Sequence, residues 1–131
     1  MPKYFQKSLL GLALIFPVMT TQGCVPLVVG AAAGGGVVAY AKGDLHKNFD
    51  NSVSDLHKAS LAAVKNIKAS VYLDKIGRHS AKIKFEFDDK EKGEIVIKAL
   101  TERTATLKIR VGLLGDEIRS QMVLNALQKQ L

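Results

Sequence analysis

Cys24 is the only cysteine in the 131-residue chain, and its setting directs chemistry to it. Lys3 and Lys7 precede an apolar run, Leu9 to Met19, which is followed by Thr20-Thr21-Gln22 and then by Gly23 and Cys24. A basic start, an apolar centre and a small residue before a cut are the three regions of a secretory signal. The cysteine stands where an ordinary cleavage site would continue. Two other readings compete: an uncleaved membrane anchor and a buried core cysteine. The apolar run has 11 residues and contains Pro17, whereas a spanning helix takes about 20 apolar residues. Position behind a signal argues against the core reading.

The other reactive side chains form no recognisable centre. His46, His57 and His79 are scattered without a second cysteine, so no zinc-type spacing arises. His57 falls near the apolar face of an expected helix and reads as a core-edge residue. Asp88, Asp89 and Glu91 offer oxygen ligands, but they lack a calcium-loop pattern, and Lys90 and Lys92 among them mark a charged turn. Ser52, Ser54 and Ser60 lack a G-x-S-x-G elbow. Gly34-Gly35-Gly36 is not followed by the Lys-Ser/Thr of a phosphate loop. Neither an enzyme nor a cofactor or metal site is expected.

These residues sit in a chain with room for one small domain. Three parts are expected: a signal over 1–23, an apolar Gly/Ala-rich tether over 24–36, and a folded domain over 37–131. Removing the signal takes two lysines and no acid from a net charge of +7, leaving +5 on 108 residues. Basic and acidic residues alternate along the domain with no long run of either. A solvated, mildly basic surface is expected, without nucleic-acid binding. No disulfide is available, so burial alone must hold the core.

Val25 to Ala41 is free of charge for 17 residues. Gly30 and Gly34 form a small-xxx-small pair, which lets helices approach closely in a membrane. Association through that pair is one reading. A flexible tether is the other, since each glycine of Gly34-Gly35-Gly36 penalises a helix by about 1 kcal/mol relative to alanine.

The domain reads as β-α-β-β-β-α. Val37 to Phe49 reads as one strand with a bulge or bend at Gly43. Ser52 caps a helix over Val53 to Lys68 with apolar face Val53, Leu56, Leu61, Ala63, Val64 and Ile67. Val71 to Lys75 reads as a short extended piece, and Ile76-Gly77-Arg78-His79 as a bend. Strict alternation marks strands over Ser80–Phe87, Glu94–Leu100 and Ala105–Val111. Asp116 caps a final helix over Glu117 to Lys129, whose apolar set is Ile118, Met122, Val123, Leu124, Ala126, Leu127 and Leu131. One-sided strands with two helices predict an α+β two-layer sandwich, with both helices on one face of a mainly antiparallel sheet of about four strands. The opposite face would carry Lys82, Lys84, Lys98, Lys108 and Arg110, a candidate basic binding face. An ordinary solvated sheet face is the competing reading.

The Gly23-Cys24 signal resembles that of bacterial lipoproteins. That resemblance implies a thioether-linked diacylglycerol on Cys24, fatty acylation such as palmitate, and cleavage just before it. Thr21 stands where the family commonly has an aliphatic residue. Val25 in place of Asp implies sorting to the periplasmic face of the outer membrane, with the inner membrane as the alternative. Gly23-Cys24-Val25-Pro26, the glycine-alanine stretch, Tyr40-Ala41-Lys42-Gly43-Asp44-Leu45, and Arg110-Val111-Gly112 with Gly115-Asp116-Glu117 resemble a family of small proteobacterial lipoproteins classified only as a domain of unknown function. The expectation is a non-enzymatic interaction or accessory module, anchored in the membrane and meeting an envelope protein or peptidoglycan. The alternative is a membrane-associating or self-oligomerising protein acting through residues 25–41. The oligomeric state is left open.

Overall fold

The computed structural model describes residues 27–31 and 37–131. The signal read over 1–23, Cys24 and Gly34 lie outside the described residues. The elements follow as β1 (Leu27–Ala31), β2 (Val37–Ala41), β3 (Asp44–Phe49), α1 (Val53–Asn66), β4 (Ser70–Ile76), β5 (Ser80–Glu86), β6 (Lys92–Ala99), β7 (Ala105–Val111) and α2 (Glu117–Gln128). The strands form one antiparallel sheet in the order β1-β2-β3-β7-β6-β5-β4. It has six strands from Val37 onward, and β1 adds to the outer edge of β2. The α+β class and the two helices match expectation; a sheet of about four strands does not.

Three segments account for the difference. Val37 to Phe49 is a hairpin and not one bent strand: Ala41 pairs with Asp44, and Lys42 and Gly43 turn the chain with φ of 54° and 85°. Two central residues at positive φ twist with the flanking strands, as tight hairpins require. Asn or Asp usually fills the first of these positions, so Lys-Gly reads as a bulge in the sequence. Val71 to Lys75, expected as a short extended piece, lies within a strand, Ser70–Ile76, that pairs with β5 from end to end except for a bulge at Tyr72. Leu27 to Ala31 pairs with β2, so Gly30 stands in a strand where the small-residue spacing suggested a helix.

Helix α1 starts where Ser52 Oγ accepts the Asp55 N–H at 3.2 Å. It ends with Ile67 as cap and Lys68 in the left-handed region at φ 60°. There Ala69 N–H reaches Val64 O at 3.1 Å and Lys68 N–H reaches Lys65 O at 3.1 Å, the 6→1 and 5→2 pair of a Schellman ending. Both helices pack on one sheet face and on each other. Leu56, Val64, Leu124 and Leu127 are fully buried over Ile83, Ile95, Leu107 and Ile109. Each such side chain stabilises the fold by about 1.5–3 kcal/mol.

Two features of this layer depart from the sequence pattern. Lys47 shares the covered face with Leu45 and Phe49 and is only 2% exposed. Its Nζ sits 5.0 Å from the centre of the Phe49 ring, and burial pushes its pKa down. The broad apolar set of α2 also divides. Val123, Leu124 and Leu127 are buried, whereas Ile118 is 83% exposed and Met122 and Leu131 also face outward. Ile118 and Met122 instead line a groove with Ile67 and Ala126.

Candidate functional site

Alternation along β3, β5, β6 and β7 sends every second side chain to the face that the helices leave open. Register then decides which of them become neighbours. Lys75 pairs with Lys82, Lys82 with Val96, Val96 with Lys108, and Lys108 with His46. A row across five strands therefore carries three lysines, one valine and His46, with no acid in it. Lys98, two residues beyond Val96, completes a shallow depression lined by Lys75, Lys82, Lys98 and Lys108 around Val96, with Glu94 as the single carboxylate.

Like charges directly opposite on neighbouring strands are unfavourable. Lys75 and Lys82 stand one strand spacing apart, about 5 Å, within the physiological Debye length of about 8 Å. Their repulsion is only partly screened. Lys82 Nζ has Glu94 at 3.9 Å, while Lys75, Lys98 and Lys108 have no carboxylate partner among the described residues. The depression that these four lysines line would favour an anionic group.

Not every lysine and arginine expected on this face belongs to that cluster. Lys82, Lys98 and Lys108 do. Lys84 faces Glu94 at 3.7 Å in the neighbouring row. Arg110 is occupied: Nη1 donates to Asp44 Oδ1 at 3.0 Å and to Lys42 O at 3.2 Å, and Nη2 donates to Leu113 O at 2.6 Å. It fastens the β2–β3 turn to the loop after β7. Lys75 was missed because the segment before Gly77 read as a short extended piece; only full pairing with β5 puts it beside Lys82.

Arg110 also marks a second constellation. The segments Tyr40–Leu45 and Arg110–Glu117 lie 65 or more residues apart in sequence and meet at one end of the sheet. Gly43 and Gly115 touch backbone to backbone, with φ of 85° and 83°, and a Cβ on Gly43 would come 2.6 Å from Leu114 O. Leu113 and Leu114 between them are 92% and 90% exposed. No spacing rule finds this contact, because it depends on β3 lying beside β7.

Two further pairs are structural. His57, at the core edge as expected, brings Nε2 to 2.6 Å from Asp74 Oδ1 and ties α1 to the edge strand β4. Asp89, read as part of a charged turn, takes both Nη groups of Arg119. That pairing, aided by the Glu91 N–H, draws its pKa down to about 2. Among the described residues no three His, Cys, Asp or Glu side chains gather as a metal site, and no helix is long and apolar enough to cross a membrane.

Fold and surface together define a small two-layer α+β domain with an open, lysine-rich sheet face. The chain belongs to the family described as protein of unknown function (DUF3568), whose model matches residues 7–130. No curated protein matches it significantly.

Proposed function

We propose that the protein is a lipid-anchored, non-enzymatic module of the bacterial envelope. It is held through Cys24 at the periplasmic face of the outer membrane and offers its open sheet face to an anionic envelope component. The lysine row across β4, β5, β6 and β7 carries this reading. Lys75 and Lys82 stand directly opposite each other, and Lys98 and Lys108 flank the same depression with Glu94 as its one carboxylate, an arrangement that a structural role alone does not favour. Carboxylate-bearing peptide stems of peptidoglycan, or an acidic protein surface, would relieve that repulsion. The signal pattern ending at Gly23-Cys24 supports the anchor, and Val25 supports the outer-membrane address.

Two measurements test the two halves separately. Intact mass of membrane-extracted protein should show loss of residues 1–23 and added acyl mass, both absent from Cys24→Ser. An unmodified wild type rejects the anchor. For the sheet face, co-sedimentation with purified sacculi should weaken as salt rises, and Lys82→Glu with Lys98→Glu and Lys108→Glu should abolish it. Sacculus binding untouched by that triple change removes the basic face from the proposal.

A further inference from the structure

Three lysines occupy the left-handed backbone region: Lys42 at φ 54°, Lys68 at 60° and Lys90 at 72°. A side chain with a Cβ is strained in that conformation, and glycine would remove the strain without loss of a buried contact. All three are exposed. They are far apart in sequence, in the β2–β3 turn, at the end of α1 and in the β5–β6 connection. The fold nevertheless puts them at the same end of the sheet. Ser70, just after Lys68, pairs with Glu86 at the end of β5, and Gly93 pairs with Val111. Arg110 clasps Lys42 and Leu113 through their carbonyls, and Gly112 N–H donates to Lys92 O at 2.8 Å.

The same end displays Leu113 and Leu114, almost fully exposed, and Ile118 in the first turn of α2. It is also where the chain enters the sheet. Leu27 pairs with Tyr40, near the Lys42-Gly43 turn. Cys24 precedes Leu27 by three residues, a reach of at most about 10 Å. Of the carboxylates there, Asp89 and Asp116 engage Arg119, Asp44 engages Arg110, and Glu86 stands 3.4 Å from Lys90 Nζ in an exposed pair that a lipid phosphate can replace, while Lys42 and Lys68 have no carboxylate partner among the described residues.

From this juxtaposition we infer that this end of the domain docks on the lipid bilayer. Leu113 and Leu114 enter the interface, and Lys42, Lys68 and Lys90 lie against anionic headgroups. Apolar side chains beside a set of cations are the combination that binds membrane surfaces. The inference rests on the lipid-anchor reading, which brings the bilayer to this end of the sheet. The lysine row then faces sideways, away from the bilayer, with its partner-binding surface free.

The chain contains no tryptophan, so Leu113→Trp or Leu114→Trp adds a single indole at an exposed site that leaves the fold intact. The full-length variants would be extracted from membranes and reconstituted in phosphatidylethanolamine–phosphatidylglycerol vesicles carrying brominated acyl chains. Emission should shift to the blue and be quenched about twofold or more by the bromines, as an interfacial indole is. Glu102→Trp, at the far end, should remain unquenched. Adding Lys42→Gly, Lys68→Gly and Lys90→Gly should reduce the quenching. Equal quenching at both ends, or none at Leu113→Trp and Leu114→Trp, overturns the inference. Quenching unchanged by the three glycines removes the lysines from it. Intact mass of the same samples keeps the anchor separate. An acylated but unquenched protein refutes docking alone, and a quenched protein without acyl mass refutes the anchor alone.

Discussion

At the end of the sheet where β4 turns into β5 and β6 into β7, the chain reverses without a single positive φ. There Thr101 Oγ1 accepts N–H groups from Arg103 and Thr104, so the turn satisfies itself locally. The opposite end is built differently. It joins Gly43 to Gly115 across 72 residues of sequence, holds three lysines in left-handed conformations, and leaves Leu113 and Leu114 92% and 90% exposed, where the first end leaves Ile76 and Leu100 only 53% and 58% exposed. Stability alone favours the first design, since single substitutions to glycine would relax the second. The proposed bilayer docking would account for features of the end near the start of β1 that folding alone does not require.

The sharpest way to break this contrast is to add one methyl group at each end. A Cβ on Gly115 would overlap the backbone of Gly43, and φ there is 83°. Gly115→Ala should cost about 3 kcal/mol or more, from overpacking added to a left-handed alanine. Gly77 sits at the other end with its nearest prospective neighbour, Ser80 O, at an ordinary 3.6 Å. Gly77→Ala should change stability by no more than about 1 kcal/mol, and in the favourable direction. Urea unfolding of both variants reads the difference, and similar losses would contradict it.

A smaller effect of opposite sign is expected at Lys68. Glycine is the residue its Schellman position prefers, so Lys68→Gly should stabilise the domain by about 1 kcal/mol. A loss of stability would show that the lysine side chain itself supports the helix end.

The smallest effect concerns Asp89 and Arg119. The guanidinium holds the carboxyl at about 2 in the folded chain, below the usual value of about 3.9. Because the folded pKa is the lower one, the pair stabilises the fold above that usual value. Its contribution fades as pH falls towards about 2. Arg119→Ala should return the carboxyl to the ordinary range, as read by carbon-detected NMR titration. It should also flatten the pH dependence of stability in that acid window. Both groups are solvent-exposed, so the change in stability is small.

How far the sequence could be read depended on how local each signal is. Ala81, Ile83 and Phe85 against Lys82 and Lys84 announced β5, because alternation within one strand decides its faces. Ser52 and Asp116 announced the two helix starts, because a cap acts over three residues. Lys42-Gly43 was misread because lysine is an uncommon first residue of a two-residue hairpin turn. Ile118 and Met122 were misread because hydrophobicity shows that a side chain can be buried, and only the crossing of α2 over the sheet decides which ones are. The candidate basic face was legible as a face but not as a cluster. Lys84 and Arg110 look equivalent to Lys98 and Lys108 until Glu94 and Asp44 are placed beside them.

The sequence by itself determined the signal pattern at Cys24, the two helices with their caps, and the inward and outward sides of β5, β6 and β7. Each of these follows from contacts within a few residues. Only the tertiary structure decided that β3 lies beside β7 and β4 beside β5. Strand order and register are set by burial of a shared core between segments distant in the chain. That choice brought Gly43 against Gly115, aligned Lys75 with Lys82, Val96 and Lys108, and put three strained lysines at the same end of the sheet as Leu113 and Leu114.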